Sequence, residues 1–391
     1  MSVELNTLIT KVSDMDITLI AGEKGLSNPV SWVHMVETRE ATAFLKGGEI
    51  AFATGIGLNN GLTLLELIEN TYIHKASGII LNTGPFLENI SDDIIQFGNE
   101  HDFPIFTVPW KIHIAEIMRI FSYTIIKKGQ KALQVAAAFK NALFFPKQEE
   151  LYSVALTQNG FMPSWSYCAC IIKAFDKDLN PLSPTRLENM SLSLEHYLSH
   201  DKFEHFAVFL NENNIVIVLG DYSEQEYIRA KECFLDYFSR YTDKSEIKYL
   251  GMGRLTKSVR CLYKSYNQAE AIARLHLHGK VDPSLVAYSD MGAYRLLMGI
   301  EDQDIITDYY NKTIRPLAKY DEKNNTNLCD ILRVYLNKDG SVMETAKVFF
   351  VHRNTINYKL NKIAEILNVN LTSFDTRFQI TLAFMLQDML S

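Results

Sequence analysis

Short apolar and β-branched runs alternate with helical patterns over residues 1–112. The helical patterns extend from Leu62 to Lys75 and from Ile90 to His101. Strands that alternate with helices in this way indicate an α/β domain built on a largely parallel sheet. The predicted strands are Thr18–Ala21, Trp32–Val36, Ile50–Thr54, Gly78–Leu81 and Ile105–Val108.

Polar or flexible residues stand at the predicted strand ends of this domain. Parallel sheets bind ligands in the loops at the carboxyl ends of their strands, so such residues are candidate contacts for a small molecule. The alternative is that each of them only forms a turn or supports the loop. The candidates are Glu37, Thr38, Glu49, Thr54, Gly55, Asn82 and Thr83.

Helical spacing of apolar residues continues from Ile114 to Leu143, and Gly129 predicts a break in it. A helix between two domains with one apolar stripe is suited to pairing with its twin in a dimer. Packing against its own domain is the equally simple alternative.

The pattern over residues 161–280 is strand, helix, hairpin, helix, strand, helix, which is the order of a ferredoxin-like domain. Strand signals largely stop after Asp282-Pro283, and the remainder is predicted to be helical. The predicted organisation is multidomain, α/β plus all-α. It comprises an α/β domain (1–125), a helical linker or dimerisation segment (126–160), the ferredoxin-like domain (161–280) and a helical domain (281–391) with a helix-turn-helix at about 340–368.

The segment from Glu344 to Val369 carries the most functional information. A short helix contains Ala346 and Phe349, and in the helix that follows Ile356, Leu360, Ile363 and Leu367 recur on one face. The opposite face is rich in amide and cationic side chains. Asn pairs with adenine and Arg with guanine through two hydrogen bonds, so this face has the chemistry of a base reader. An ordinary amphipathic helix pair with a solvated polar face is the alternative.

The net charge of the whole chain argues against binding of nucleic acid, whereas the charge of one segment favours it. The 391 residues are 47% hydrophobic and carry a net charge of -7. That average excludes a surface coated in positive charge. Between Glu344 and Val369, however, four cations face two anions, a local charge of +2. Early charged residues and the lack of a long apolar run lead us to expect a cytoplasmic protein without a signal peptide or membrane span.

The string Val351-His352-Arg353-Asn354-Thr355-Ile356-Asn357-Tyr358-Lys359-Leu360 closely resembles the C-terminal helix-turn-helix of the PucR/CdaR family of bacterial transcriptional regulators. Asn28–His34 and Phe44–Gly55 resemble the N-terminal PucR-type domain of that family, which is thought to sense ligands. Gly251–Arg254 and Ser265–Ala269 resemble its central domain, a degenerate relative of GGDEF cyclases. Together the three resemblances extend over nearly the whole chain.

The resemblance implies contacts between this helix and double-stranded promoter DNA. Arg353, Asn354, Asn357 and Tyr358 are expected at base edges, because their side chains can read them, whereas Thr355, Lys359 and Lys362 are expected at phosphates. His352 has two alternatives, a DNA contact or a cap on the helix. Phe350 departs from the small residue or glycine that many such turns prefer, which leaves the crossing angle of the two helices open.

No pattern for catalysis, a cofactor or a metal site is found in the sequence. At the hairpin that corresponds to the cyclase motif, the chain has Leu210-Asn211-Glu212-Asn213-Asn214-Ile215, without the paired glycines and paired acids of a two-metal site. P-loop, zinc-protease and nucleophile-elbow motifs are missing as well. The sequence therefore predicts a protein that is not an enzyme.

The leading hypothesis is a ligand-responsive regulator of an operon for the catabolism of purines, amino acids or other nitrogen compounds. The resemblance implies an activator, because the family contains many activators. A homodimer or higher even-numbered oligomer is expected, because one helix-turn-helix reads only a few base pairs. The alternative is a metabolite-binding protein or small-molecule enzyme, in which the α/β domain is active and the helical tail mediates oligomerisation. A weaker third hypothesis is a receptor for a nucleotide second messenger.

Overall fold

The computed structural model describes residues 2–201, 203–240 and 245–390. The terminal residues of the first and last predicted domains, Met1 and Ser391, lie outside this range. The chain divides into two compact units. The first comprises the described residues of Met1–Lys140, Glu150–Gly160 and Glu188–Ala207, and the second those of Asn141–Glu149, Phe161–Leu187 and Val208–Ser391.

A five-stranded sheet forms the centre of the first unit. Its strand order is β2-β7-β6-β5-β4; β4 to β7 are parallel, and β2 is antiparallel to β7. The elements are β1 (Val3–Glu4), α1 (Leu5–Thr10), β2 (Thr18–Ala21), β3 (Pro29–Val30), β4 (Trp32–Met35), α2 (Arg39–Thr42), β5 (Glu49–Ala53), α3 (Leu64–Ile73), β6 (Gly78–Thr83), α4 (Asp92–Glu100) and β7 (Ile105–Pro109).

Both faces of this sheet are buried, as a parallel sheet requires. Along β5, Ile50 and Phe52 belong to one apolar core, while Ala51 and Ala53 belong to the other. This alternation follows from the two-residue period of a strand. The largely parallel α/β fold predicted for the chain's first part is therefore present.

The helix α5 (Ile114–Phe144) is continuous over 31 residues. The break predicted at Gly129 is wrong, because the backbone stays helical through this residue. Ile117, Phe121 and Ile125 are buried in the apolar core that also contains Ile50 and Phe52. Such apolar packing offsets the roughly 1 kcal/mol by which glycine disfavours a helix.

The middle of the chain contributes a four-stranded sheet with the order β11-β8-β10-β9, in which β10 and β11 are antiparallel to β8. Glu212 has a φ of 52° in the turn between β9 and β10. The elements here are α6 (Ser153–Gln158), β8 (Tyr167–Phe175), α7 (Pro184–His200), β9 (Phe206–Asn211), β10 (Asn214–Gly220), α8 (Glu224–Arg240), β11 (Ile247–Met252) and α9 (Leu262–Leu277).

Helices and turns make up the described residues from 291 to 390, as the loss of strand signals predicts. Leu332, Ile356, Leu360, Ile363 and Ile380 share one apolar core. No helix in the described part of the chain combines the length and the apolar character that crossing a membrane needs. The helices are α10 (Tyr294–Leu297), α11 (Gln303–Thr313), α12 (Arg315–Asn324), α13 (Leu328–Asn337), α14 (Val342–Val348), α15 (Arg353–Leu367) and α16 (Phe374–Leu390).

Candidate nucleic-acid interface

The helices α14 and α15 are joined by a tight turn that forms a helix-turn-helix. The N–H of Val351 donates to the carbonyl of Ala346 at 3.0 Å, and that of Phe350 donates to the carbonyl of Lys347 at 3.2 Å. Ala346 is buried, and its small side chain lets the two helices approach closely. Ser341 caps α14 by accepting a hydrogen bond from the N–H of Glu344.

Phe350 takes the left-handed conformation in this turn, with a φ of 53°, and is 95% exposed. Left-handed backbone is unfavourable for a residue with a bulky side chain, which is why glycine is common in such turns. The turn therefore closes in the usual way, although the residue is a phenylalanine. The phenylalanine side chain is accommodated in this turn because it is exposed to solvent.

His352 occupies the cap position of α15. Its Nδ1 accepts a hydrogen bond from the N–H of Asn354 at 3.2 Å. An exposed N–H at the start of a helix needs such a partner, because no preceding turn supplies a carbonyl. Capping, one of the two alternatives for this residue, is thus the contact that the structure shows, while the residue itself is exposed.

One face of α15 is buried and the other is open. Ile356 and Ile363 are fully buried and Leu360 nearly so, whereas Arg353, Asn354, Thr355, Asn357 and Tyr358 are exposed. Among the described residues, the side chains of Arg353, Asn354 and Asn357 form no hydrogen bond or ion pair. Their donors and acceptors are therefore free to meet base edges without breaking an internal contact.

The two lysines of the predicted set differ from these residues. Lys359 donates to Oδ1 of Asn327 at 3.3 Å, and Lys362 donates to Oε2 of Glu365 at 3.1 Å. The hydrogen bond and the charge of Glu365 raise the pKa of Lys362. Both lysines are half-buried at the flank of the helix, a position that suits phosphates better than bases.

The candidate ligand residues of the first unit fall into two groups. Glu37, which follows β4, accepts two hydrogen bonds at Oε1, from the N–H and the hydroxyl of Thr54, both at 2.7 Å. Thr54 itself follows β5, so the two residues meet at the carboxyl edge of the sheet. The other carboxylate oxygen of Glu37, Oε2, is buried and has no hydrogen-bond partner in the described chain.

Three more candidates lie at the same edge and have structural contacts. Asn82 is buried and donates to the carbonyls of Val108 and Pro109, and the hydroxyl of Thr83 also donates to that of Val108. Gly55 has a φ of 82°, and a side chain there would approach the carbonyl of Phe86 to 2.9 Å.

Glu49 and Thr38 do not join this group as free contacts. Glu49 begins β5, at the opposite edge of the sheet, and its carboxylate accepts hydrogen bonds from the N–H groups of Lys46 and Gly47 at 2.9 Å each. Thr38 caps α2 by accepting from the N–H of Ala41. Both side chains therefore bind backbone N–H groups of neighbouring residues.

Two exposed aromatic residues near the carboxyl edge were missed by the sequence reasoning. Phe86 and Trp110 follow β6 and β7, and their ring centroids are 5.8 Å apart. Their side chains are 45% and 41% exposed. An aromatic residue within three positions of the end of a buried strand was the available signal, since an apolar ring outside a core often marks a contact surface.

Comparison with known proteins matches both ends of the chain to one family. The profile of the purine catabolism regulatory protein-like family matches residues 8–125, and that of the PucR C-terminal helix-turn-helix domain matches residues 328–386. These matches, together with the relatives described below, support a PucR-type regulator. The resemblance stated from the His-Arg-Asn-Thr segment is thus confirmed, and this PucR-type chain is a regulator and not an enzyme.

Curated relatives match over different shares of their length. The proline-responsive transcriptional activator PutR of Bacillus subtilis is 28% identical over 307 residues, 76% of this chain and 70% of PutR. The DNA-binding transcriptional activator AdeR of B. subtilis is 21% identical over 46% of this chain and 43% of AdeR. The purine catabolism regulatory protein of B. subtilis is 35% identical over 24% of this chain and 17% of its own length.

Proposed function

We propose that this PucR-type chain is a ligand-responsive activator that binds promoter DNA in a sequence-specific manner and controls an operon for the catabolism of an amino acid or another nitrogen compound. Two of the relatives are named activators, and one of them is named as proline-responsive. A protein of this function works in the cytoplasm, on the chromosome.

The open face of α15 is the observation that carries this proposal. Arg353 and Asn354 lie in the first turn of the helix, where the recognition helix of a helix-turn-helix meets base edges. Their side chains have no competing partner among the described residues, so docking in the major groove costs no internal hydrogen bond. The buried face of the same helix packs in the apolar core and so fixes the position of Arg353 and Asn354 on the surface of the domain.

Substitution of Arg353 and Lys359 tests the assignment of roles. Arg353→Ala is expected to weaken binding to the chain's own upstream DNA by about 1–3 kcal/mol and to leave binding to scrambled DNA almost unchanged, because it removes a base contact. Lys359→Ala is expected to weaken binding to both DNAs equally and to lower the salt slope by about 1, because it removes a phosphate contact. Fluorescence anisotropy at several salt concentrations measures both effects.

Lys312→Ala is the matched control, since Lys312 is an exposed cation of the same domain that pairs with Asp308 on α11. It should bind both DNAs like the unmodified protein. If Arg353→Ala keeps full preference for the upstream DNA, α15 is not the recognition helix.

The effector is proposed to bind at the carboxyl edge of the first sheet, where Glu37, Thr54, Gly55, Asn82 and Thr83 meet. The unpartnered Oε2 of Glu37 is an acceptor for an amino group. A buried acceptor without a partner costs free energy, which a bound ammonium group would recover. This chemistry is consistent with an amino acid or an amine as effector.

Glu37→Gln is expected to weaken effector binding about tenfold or more, because it removes a charge-assisted hydrogen bond. Calorimetry with L-proline, chosen for the name of the first relative, measures it. Glu40→Gln, an exposed carboxylate on α2, is the control. Equal binding by Glu37→Gln and the unmodified protein would show that Glu37 does not contact the effector.

The domain limits predicted from the sequence are retained as proposals: a sensor at 1–125, a linker at 126–160, a GGDEF-like domain at 161–280 and a DNA-binding domain at 281–391. For the third, the order of elements, β8, α7, β9, β10, α8 and β11, supports a ferredoxin-like fold. We also propose a homodimer or a higher even-numbered oligomer, because two recognition helices are needed to read two half-sites.

A further inference from the structure

A cavity of about 520 Å³ lies beside α9 in the second unit. Side chains of α9 form one wall, the segment 298–301 forms another, and Ile306 of α11 and Met389 of α16 complete it. Cavities of this volume are typical of sites for small molecules. The cavity is separate from α15 and from the sheet of the first unit.

The charges around this cavity do not cancel. Lys264 pairs with Glu301 at 2.8 Å, and Glu270 pairs at 2.8 Å with Lys173, a residue of β8. Each of the two lining carboxylates therefore has a cation of its own. Arg254 and Arg274 also line the cavity, and within the described chain neither guanidinium group has a carboxylate partner.

Buried polar atoms at the cavity lack partners as well. Nε of Arg274 and Oε2 of Glu270 are buried without a hydrogen bond among the described residues. These two residues lie one turn apart on α9, since they are four positions apart. Gln268 is almost fully buried, and its Oε1 accepts from the N–H of Arg254 at 3.1 Å. Unsatisfied buried donors and acceptors are rare in folded proteins and call for an explanation.

The remaining wall is apolar. Ala271, Met298, Ile306 and Met389 line it, and Ile306 is almost fully buried. An occupant that only balanced the charges would leave this surface in contact with water. The cavity therefore suits a molecule with a charged end and an apolar portion. The methionine side chains fit the apolar portion, because they adapt to irregular apolar shapes.

We propose that this cavity binds a small metabolite that carries a carboxylate or phosphate group, an apolar portion and a hydrogen-bond donor. The guanidinium groups of Arg254 and Arg274 bind the oxyanion, for which their planar fork of donors is suited. Glu270 accepts from the donor, and the methionine-lined wall covers the apolar portion. This site is additional to the effector site of the first unit, and it rests on the cavity alone and not on the proposed binding of DNA.

The cavity also adjoins a buried ion cluster of the same unit. Asp388, the neighbour of Met389 on α16, accepts hydrogen bonds from Arg333 of α13 at 2.9 and 3.0 Å and from the hydroxyl of Tyr294 at 3.1 Å. Helix α13 shares an apolar core with α15. A molecule that contacts Met389 thus acts on a helix that is tied to the domain of the recognition helix.

Methionine methyl groups report on occupancy of the cavity. The full-length protein is labelled with ¹³C at the methionine methyl groups, and the signals of Met298 and Met389 are assigned by changing each to Leu. Inorganic phosphate and L-leucine are titrated separately at constant ionic strength. Both are expected to shift these two signals in a saturable way, while methionines of the first unit stay unchanged. L-Leucinamide, which lacks the carboxylate, should have no such effect, and the tighter of the two ligands identifies the oxyanion group that the site prefers.

Arg254→Gln and Arg274→Gln are each expected to weaken saturation about tenfold or more, because each removes hydrogen bonds to a charged group. Arg260→Gln is the matched control, since Arg260 precedes α9, pairs with Glu149 at 2.5 Å and does not line the cavity. Arg254 is exposed, so its variant is expected to fold even if Arg274→Gln does not. The proposal is overturned if neither phosphate nor L-leucine shifts the signals of Met298 and Met389 in a saturable way, or if Arg254→Gln binds like the unmodified protein.

Discussion

Neighbouring residues at the start of α15 have different tasks. His352 holds the helix end through its Nδ1, whereas the next two side chains, those of Arg353 and Asn354, stay free of internal contacts. This division explains why a histidine suits the cap: one ring nitrogen accepts from the backbone while the other faces solvent. The cap and the surface that we propose to read DNA are thus built from consecutive residues.

His352→Ala is expected to lower the free energy of unfolding by about 1 kcal/mol, because the N–H of Asn354 loses its partner. His352→Asn should retain most of this stability, since asparagine is a good cap. Urea denaturation of the two variants measures the difference. A stable His352→Asn variant with weakened DNA binding would add a DNA contact to the role of His352. Equal stability of His352→Ala and the unmodified protein would contradict the cap.

Sequence reasoning located residues better than it located their partners. It placed Glu37, Thr54 and Asn82 at strand ends, and the structure brings them to one edge. It grouped Glu49 with them, although this residue begins its strand and so lies at the opposite edge. The apolar pattern does not locate a strand boundary to within one residue. It therefore does not tell whether a polar residue belongs to the amino or to the carboxyl end of a strand. The free oxygen of Glu37 depends on contacts from Thr54, seventeen residues away, which no local pattern contains.

At the scale of elements, the sequence pattern predicted the five strands of the first sheet to within about two residues, because they are apolar or β-branched runs bounded by turn residues. It did not predict the two-residue strands β1 and β3, which are too short to show a period. The helix α5 is where local propensity misled, since Gly129 does not interrupt it. A single glycine costs less than the apolar contacts of a long helix supply. Helix propensity thus decides whether a segment is helical only where tertiary packing is weak.

Gly129→Ala is therefore expected to raise the free energy of unfolding by about 0.8–1 kcal/mol, the difference in helix propensity between the two residues. The midpoint of thermal or urea unfolding reports it. Ala132→Gly, a change in the opposite sense one turn later in the same helix, should destabilise by a similar amount. A destabilising effect of Gly129→Ala would mean that the backbone there is closely approached by another surface.

At the scale of the whole molecule, the open question raised by the sequence is what the exposed side of α5 contacts. The exposed fractions of Tyr123, Ile126 and Leu133 are 64%, 46% and 63%, although all three side chains are large and apolar. At about 100° per residue they fall within a stripe about 80° wide, opposite Phe121, Val135 and Phe139, which are buried. An apolar stripe with spacings of three and seven residues is typical of a helix that pairs with a second helix.

This stripe fits a second copy of the chain, because a regulator with one helix-turn-helix needs a partner to read two half-sites about 34 Å apart. We therefore expect a homodimer that pairs α5 with its twin. Ile126→Glu and Leu133→Glu should each halve the mass measured by light scattering, since a buried charge without a partner is strongly unfavourable. Lys131→Glu, on another side of the helix and exposed, should leave the mass unchanged.

Because two half-sites bind tightly only when linked, the monomeric variants should also lose most of their affinity for the full promoter site while keeping that for a single half-site. A dimer that survives both substitutions would place the interface elsewhere, and a strictly monomeric unmodified protein on DNA would contradict dimerisation itself.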